Sequence, residues 1–541
     1  MKRSLVLIVL VLAVALTALA PVAAQDNTLR IALQQEPDTL SPIYTQMWFA
    51  GTVIDLLLAQ VWWIDNAGNP VPAIAAEIPS AENGGLSEDG TVITIKLRED
   101  AVWSDGEPIT AADYVFYYEM ITAESNTVGS RYPWDSQVAS VEAADDQTVV
   151  VTFNAPFAPW LSSLAISPLP EHVLRPVFEA DGTLDTAAWN REPNVTSGPF
   201  SFVSWEAGSG MEFVRSENYF LGSAKLDGVS IQFVPDDATV VAALVAGDTD
   251  VGTFISSGDV PALRETGNIN IELVPSSYNE GIFFNVGPDG HPALKDVNVR
   301  RALAMAIDRD RVNRDLNLDL VYTGASFWEN TPFANPALEP YPFDKDSAAA
   351  MLDEAGWVDS NGDGTRDKDG VEMILRYITN QRQIRKDVQA IVQQDMADIG
   401  VGIEIQNFDS DIFFASYGDG GPMSTGQYDL GEYSAPTAFP DPDTSRFLCS
   451  QVPSDDNPDG GNDAYYCNPA LDELFAQQAQ TVDFDARVAI FHQIDQILYD
   501  EMVWLNVWYD PDLWAINNRI ANTLVSGADP LWNALNWEIS G

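Results

Sequence analysis

The chain contains 541 residues, of which 46% are hydrophobic, 10% aromatic and 20% charged, a composition typical of a folded globular protein. This length exceeds a single hydrophobic core, so we expect two or three lobes with crevices between them. The 80 acidic residues outnumber the 27 Lys and Arg residues and give a formal charge of -53. Such a charge repels nucleic-acid phosphates and anionic lipid head groups, so neither is expected as a partner. It could steer cationic solutes, but we favour a role in solubility or adaptation to salt.

The first 24 residues have the pattern of a secretory signal peptide. Lys2 and Arg3 precede an apolar run over residues 5–19, and small residues at 22–24 form a cleavage site. The run is shorter than the roughly twenty residues of a membrane span, and an uncleaved anchor is the alternative. No cysteine lies at the cleavage region, so a lipid anchor has no attachment point there. We predict cleavage after Ala24 and an exported protein, either periplasmic or extracellular.

The two cysteines, Cys449 and Cys467, lie in a segment rich in Gly, Pro, Asn and Asp. In an exported chain the oxidising compartment favours their pairing, so we predict one disulfide. Two buried free thiols are the weaker alternative, because the surrounding residues are too polar for a core. A metal bound by these two side chains alone would lack ligands.

Strand and helix signals alternate along the chain without a short repeat, which argues against a solenoid or a propeller. Residues 91–98 alternate apolar and polar side chains, as a half-buried strand does, and 147–153 could pair with them. Thr110 and Asp113 form a capping box that opens a helix. The architecture is therefore expected to be α/β or α+β.

Two further helices follow in the second half of the chain. One begins after Asp296 and places apolar residues at spacings of three and four. The other covers residues 388–399 and ends at Gly400, a suitable left-handed cap, directly before a strand at 401–405. Both apolar stripes are interpreted as core.

The amino-acid identities in the motifs carry more information than their hydrophobic periodicity. Residues 96–115, with WSDG at 103–106 and TAADYV at 110–115, closely resemble the signature of the extracellular solute-binding proteins of family 5. These are the peptide- and nickel-type binding components of ABC importers. The resemblance continues in order through LSP at 40–42, SGPF at 197–200, ALVAGDTDV at 243–251, FNV at 284–286, VRRA at 299–302, AIDR at 306–309, AGW at 355–357 and NPALD at 468–472.

This resemblance implies an α/β, bilobed periplasmic-binding-protein-like fold of type II, in the three-domain form called cluster C. Domain I would comprise residues 25–66, 196–280 and 510–541, with domain II inserted at 67–195 and domain III at 281–509. The chain would cross between the lobes near 278–284 and 509–514, and these crossings are the expected hinge.

The function implied by the resemblance is capture of a small ligand between the lobes and its delivery to the permease of an ABC importer. A short peptide is the favoured ligand, and the protein is expected to act as a monomer. An oligosaccharide, a nickel chelate or another small solute is the alternative ligand, and ligand sensing is the alternative role. We expect no enzymatic activity, because the three histidines lie far apart and no catalytic motif is present.

The segment between YDL at 428–430 and DPD at 441–443 departs from the family pattern. Relatives that hold a peptide's amino terminus have an acidic residue there, whereas residues 433–439 contain none. Glu432 could substitute, although such a residue is more often solvated. Either Arg382 or Arg385 could pair with a ligand carboxylate, the alternative being a surface arginine at a helix start. The ligand-binding residues that we predict are Tyr44, Thr45, Gln46, Trp48, Tyr278, Asn279, Arg382 and Tyr433.

An Asp- and Gly-rich loop at 359–370 resembles a calcium-binding loop. Oxygen-bearing side chains recur at alternate positions, and Gly364 stands at loop position 6. Position 12 is Gly370 instead of a glutamate, and Asp369 or Glu372 could supply the missing oxygens. A turn bonding to its own backbone is the alternative. No cofactor is required, and structural calcium would be held by Asp359, Asn361, Asp363, Thr365 and Asp367.

Overall fold

The computed structural model describes residues 27–45, 47–128, 130–274, 276, 278–329, 331–415, 417, 420–436, 441–442, 444–457, 460–509 and 511–540. The predicted signal peptide at 1–24 and its cleavage site lie outside these residues. Within them, no helix is both long enough and apolar enough to cross a membrane.

The chain forms a first lobe up to residue 274, a second lobe from 278 to 509, and then returns to the first lobe. The elements of the first pass are β1 Thr28–Leu33, α1 Trp48–Leu57, β2 Trp62–Ile64, β3 Pro70–Pro72, β4 Val92–Lys96, α2 Ala111–Thr122, β5 Val138–Asp145, β6 Thr148–Phe153, α3 Trp160–Ser163, α4 Glu171–Asp181, β7 Phe200–Glu206, β8 Gly210–Arg215, β9 Gly228–Phe233, α5 Asp237–Ala246, β10 Val251–Gly252, α6 Val260–Glu265 and β11 Ile269–Val274.

The second lobe is built from the middle of the chain. Its elements are β12 Tyr278–Phe284, α7 Val297–Ala306, α8 Arg309–Leu316, α9 Lys345–Glu354, β13 Asp367–Lys368, β14 Val371–Glu372, β15 Ile374–Asn380, α10 Gln383–Asp398, β16 Gly402–Phe408, α11 Ser410–Phe413, β17 Leu430–Pro436, α12 Pro469–Ala479, α13 Phe484–Glu501 and β18 Trp504–Tyr509. The return to the first lobe adds β19 Asp512–Asn517, β20 Ile520–Ala521 and β21 Glu538–Ile539.

Each lobe is organised around one mixed sheet. The first lobe has a seven-stranded sheet in the order β11-β19-β10-β1-β9-β8-β7, in which β1 runs parallel to both β9 and β10. The second lobe has a five-stranded sheet in the order β16-β15-β17-β12-β18. A separate three-stranded sheet, β4-β6-β5, lies in the region that the sequence assigns to the inserted domain.

The buried apolar side chains show how the lobes are held together. One large cluster joins the seven-stranded sheet to the inserted region, so these two parts share a core. Two clusters cover the opposite faces of the five-stranded sheet. A small fourth cluster contains residues of the first lobe, such as Val240, Ile255 and Leu513, together with Leu320 of the second lobe. The lobes therefore also share apolar packing close to their connection.

The local predictions from the sequence are confirmed. Residues 92–96 pair antiparallel with 148–152, as expected of the first two predicted strands. The Thr110 backbone N–H donates to Asp113 Oδ2 at 2.8 Å, which completes the predicted capping box. Asp296 caps α7, and Gly400 has a φ of +77° after α10. The first turn of α10 begins five residues earlier than the apolar stripe indicates.

The predicted disulfide between Cys449 and Cys467 is present and closes a loop with a sequence separation of 18. Such a loop restricts the unfolded chain, so the double variant Cys449→Ser/Cys467→Ser should lose about 3 kcal/mol of unfolding free energy. Urea unfolding of wild type and variant measures this loss. Reduction of the wild type should reproduce the variant's midpoint, and an unchanged midpoint after full reduction would contradict the prediction.

Candidate functional site

The two lobe connections lie side by side. The first runs from the end of β11 at Val274 to Tyr278, and the second runs from Tyr509 to Asp512. The Ser276 backbone N–H donates to the Tyr509 hydroxyl, which in turn donates to the Ser276 carbonyl at 3.3 Å. This pair ties one crossing to the other, as expected of a hinge whose two segments move together.

A cleft of about 530 Å³ opens between the lobes beside these crossings. The first lobe contributes residues 254–258 and Leu513, whereas the second lobe contributes Arg382, Asp387 and Trp508. This volume lies within the range of ligand pockets, which commonly form at domain interfaces. A group bound here would contact both lobes at once.

The position of the cleft follows from the topology of the first sheet. Because β1 and β10 run parallel, their carboxyl ends meet at the same edge. The loop after β10 supplies 254–258, and the chain after β1 contains Tyr44 and Thr45 and leads to Trp48 at the start of α1. Ligand sites lie at such edges in open α/β sheets. The sequence analysis did not predict residues 254–258 as part of the site. The rule that ligands bind at the carboxyl ends of parallel strands would have indicated them, had a strand been recognised at the end of the motif at 243–251.

The structure separates the two candidate arginines. Arg382 is exposed and lines the cleft, and within the described residues it has no ion-pair partner. Arg385 is buried, and its Nε and Nη2 lie 2.8 and 2.9 Å from the two carboxylate oxygens of Glu280. Nη2 also donates to Ser434 Oγ at 3.0 Å. Arg382 is therefore the arginine whose charge is available to a ligand.

Glu432 is completely buried, so the expectation of a solvated side chain is wrong. Its Oε2 accepts a hydrogen bond of 2.6 Å from Tyr377, and Oε1 has no partner among the described residues. Burial, followed by the nearby Glu280 carboxylate, raises the pKa of Glu432 well above its ordinary value. The neutral form of Glu432 is therefore favoured beside the Glu280–Arg385 ion pair.

Tyr433 points to the other face of β17. It is buried, stacks on Phe283 with ring centroids 5.3 Å apart, and donates to Asp463 Oδ2 at 2.5 Å. Arg446 Nη1 donates to the same hydroxyl at 2.7 Å. The structure therefore places Tyr433 in the core of the second lobe and does not bring it to the cleft.

The predicted residues after β1 pack mainly against protein. Thr45 donates to Asp38 Oδ1 at 2.7 Å. Burial, and then Asp185, raise the pKa of Tyr44 above its ordinary value, as expected of a hydroxyl turned towards the inserted region. Trp48 is half-buried, and its ring centroid lies 4.7 Å from that of Phe254, a ring that lines the cleft. Gln46 lies outside the described residues.

Tyr278 and Asn279 occupy the start of β12. The Tyr278 side chain is 49% exposed, and its backbone N–H donates to Ser276 Oγ at 3.1 Å. Asn279 is buried and donates to the Phe327 carbonyl at 2.5 Å. Of these two, only Tyr278 has a side chain that a ligand can reach.

The lobes also touch away from the crossings. Ala158 N–H donates to the Ala479 carbonyl at 3.2 Å, and Trp160 Nε1 donates to the Val482 carbonyl at 3.4 Å. These bonds join the inserted region to the end of α12 and to the connection that follows it. Separation of the lobes would have to break them.

The oxygens of the Asp-rich loop are turned towards their own backbone. Asp359 accepts from the N–H groups of Gly362 and Gly364 at 2.7 and 3.0 Å, and Asp363 accepts from Thr365 at 2.8 Å. Within the described part of the chain, no group of three or more His, Cys, Asp or Glu side chains is arranged to hold a metal ion. Calcium binding at this loop stays a prediction and would require these bonds to be released.

Calcium at about 100 times its dissociation constant should add about 2.7 kcal/mol of stability. The expected result is a rise in melting temperature on addition of CaCl₂, which Asp363→Asn abolishes by removing a ligand charge. Glu354→Gln, which removes an exposed carboxylate of α9 outside the loop, is the matched control and should retain the rise. An equal response of wild type and both variants would place any calcium elsewhere.

The sequence profile described as "Bacterial extracellular solute-binding proteins, family 5 Middle" matches residues 69–454. The chain belongs to this family. Among its relatives, the oligopeptide-binding protein AppA of Bacillus subtilis is 28% identical over 392 residues, covering 71% of this chain and 69% of AppA. As a family 5 member the protein is an ABC-type substrate-binding protein of the peptide or nickel type, which confirms that it is not an enzyme.

Solved structures of family 5 proteins have the same fold. AppA of Bacillus subtilis in complex with a nonapeptide superimposes with a TM-score of 0.64 at 22% identity, covering 95% of this chain and 99% of AppA. NikZ of Campylobacter jejuni in complex with Ni(L-His) gives a TM-score of 0.68 at 24% identity, with the same coverage. The bilobed α/β fold expected from the sequence is confirmed.

Proposed function

We propose that this family 5 protein is exported, binds a short peptide in the cleft between its lobes and delivers it to the permease of an ABC importer, acting as a monomer. The observation that carries this proposal is the cleft of about 530 Å³, because both lobes line it directly beside the two crossings. A ligand held there bridges the lobes. Its contacts with the second lobe are complete only when the lobes have closed, so binding shifts the population to the closed form.

The chemistry of the lining suits a peptide. Arg382, which forms no ion pair with any residue that the structure describes, offers its guanidinium to a terminal carboxylate, and Asp387 offers an anion to a cationic group. Trp508 and Phe254 supply aromatic surface against which side chains of different sequence can pack. The peptide names of relatives such as AppA support the same ligand class, whereas NikZ makes a metal–amino acid chelate the second candidate.

The experiment is a thermal-shift screen against tri-, tetra- and pentaalanine, maltooligosaccharides and nickel–histidine, after removal of co-purified ligand. Only the peptides should raise the melting temperature. A rise with sugar or chelate alone would reassign the ligand within the family. No rise with any of them would contradict the proposed binding function.

Arg382→Ala should weaken the binding of a free-acid peptide about 10- to 100-fold, because a charge-assisted hydrogen bond contributes about 1.5–3 kcal/mol. The same peptide with an amidated C-terminus should bind wild type and variant equally. Titration calorimetry measures both affinities. Arg264→Ala, which removes another exposed arginine outside the cleft lining, is the matched control and should behave as wild type. If the amide also binds tightly to the wild type, Arg382 does not hold the carboxylate.

A further inference from the structure

A second cavity of about 530 Å³ lies within the second lobe, between α8 and the segment that leads into α9. It is as large as the cleft between the lobes, but its lining comes from the second lobe alone. The lining combines charged side chains of both signs with a wall made of Tyr322, Tyr341, Phe343 and two prolines. Nothing in the proposed peptide cleft uses these groups.

Three of the charged groups around this second cavity lack a close ion-pair partner among the described residues, whereas the fourth, Arg314, pairs with Asp315 at 2.9 Å. Arg309 is buried and bonds to two carbonyl groups, yet within the described residues it makes no ion pair with a carboxylate. Burial lowers the pKa of Arg309 to about 10, so the group remains a cation at neutral pH. Asp310 and Asp319 are exposed, and they too have no ion-pair partner in the described part of the chain. Asp310 acts on Arg309 only through a longer-range Coulombic attraction, so the buried guanidinium still favours an incoming anionic group.

Asn313 adds an unsatisfied acceptor to the same wall. It is only 6% exposed, and its Nδ2 donates to Thr323 Oγ1 at 3.0 Å. Because the Thr323 hydroxyl donates to the Val507 carbonyl, it must accept from the amide, which fixes the amide orientation. The Asn313 Oδ1 is then left without a partner among the described residues. A buried polar atom of this kind indicates a missing water or ligand.

The loop that separates the second cavity from the cleft is strained. Leu318 and Asp319 both have a φ of +55°, a conformation that residues other than glycine rarely adopt, and here two occur in succession. Leu316 and Asn317 line the cleft, whereas Asp319 lines the second cavity. Strain of this type persists where the surroundings impose it and often accompanies ligand clamps.

The same loop contacts the hinge. Leu320 is 3% exposed and packs in the apolar cluster of the first lobe. Tyr322, which lines the second cavity, stacks on Tyr509 with ring centroids 5.6 Å apart. Its carbonyl also accepts a 2.9 Å hydrogen bond from the Tyr509 N–H. Since Tyr509 bonds to Ser276, the wall of this cavity is connected to both crossings.

We propose that this cavity is a second ligand site, which takes a zwitterionic amino acid or dipeptide with an apolar side chain and whose occupancy acts on the hinge. The carboxylate of the ligand approaches Arg309, its ammonium group approaches Asp310 and Asp319, and its side chain packs on the aromatic and proline wall. The site is separate from the peptide cleft and does not depend on the identity of the cleft ligand.

The test is equilibrium dialysis of the purified protein against an equimolar mixture of the twenty L-amino acids and a set of apolar dipeptides, each quantified by mass spectrometry. One or more of the apolar zwitterions should be retained. Retention should fall at least 10-fold in Phe343→Ala and in Asp310→Asn, both of which change exposed side chains and should leave the melting temperature unchanged. Arg382→Ala, which alters the cleft, should retain them as the wild type does.

Two results would overturn the second site. One is retention of no amino acid or dipeptide by the wild type. The other is retention that survives both cavity variants and disappears in Arg382→Ala, which would place the ligand in the cleft. The link to the hinge is read by hydrogen exchange at the Tyr509 amide, which should slow when the retained ligand is added. Binding without any change in that exchange would overturn the link. These outcomes do not depend on the thermal-shift screen, so the second site can be tested even if no peptide binds in the cleft.

Discussion

Replacement of Arg385 with methionine should lower the unfolding free energy by about 3–5 kcal/mol, because Glu280 would be left buried without its charge partner. The two side chains are 3% and 1% exposed, so water cannot replace the lost interaction. Arg382→Met, three residues away, is the matched control. Since that side chain is exposed, its loss should change stability by no more than about 0.5 kcal/mol. Denaturant unfolding of the two variants measures the difference.

The source of the Arg385 effect can be isolated with a second substitution. Adding Glu280→Gln to Arg385→Met removes the stranded charge, so the double variant should recover most of the loss. If the double variant is as unstable as Arg385→Met alone, the arginine acts through packing instead of charge. Equal stability of Arg385→Met and Arg382→Met would contradict the buried pair itself.

A second large effect is expected from pH. Burial raises the pKa of Asp495 from 3.8 to about 7 in the folded protein. Between these two values the folded state holds a proton that the unfolded state has released, so stability falls as the pH rises through this interval. Three pKa units correspond to a change on the order of 4 kcal/mol. Asp495 accepts from the Asn335 N–H at 2.9 Å, a bond that only partly offsets the burial of its charge.

Asp495→Asn removes the titration and keeps the shape of the side chain. The urea midpoint of the variant minus that of the wild type should therefore increase steadily from pH 4 to pH 8. Asp500→Asn on the same helix is the control, because that side chain is 53% exposed and should give a difference that does not vary with pH in this way. A flat difference for Asp495→Asn would mean that the carboxyl group is ionised in the folded protein throughout.

The fold could be predicted because its signals are local and repeated along the chain. The capping box at Thr110, the cap at Asp296 and the glycine at 400 each act within one turn, and the structure has all three. The long motif run then placed these elements in a known family. The site could not be predicted to the same depth, because it depends on which face of an element each side chain occupies.

The arginines of α10 illustrate this difference. The apolar stripe begins at Val388, so the sequence placed both arginines near the helix start and did not reveal that Arg385 shares the buried face. Arg382 precedes the first turn and points to solvent. Similarly, Glu432 lies two residues from Leu430 on β17 and shares its buried face. Side chains alternate between the two faces of a strand, so recognition of this segment as a strand would have predicted that Glu432 is buried.

The assembly of the first sheet has a consequence for how the protein is made. Strand β19, near the end of the chain, lies between β10 and β11 and pairs with both. Until residues 512–517 have emerged, β11 has no partner in that sheet and β10 has only β1. Pairing between such distant segments is slow. The first lobe can therefore complete its seven-stranded sheet only after the whole of the second lobe has been synthesised.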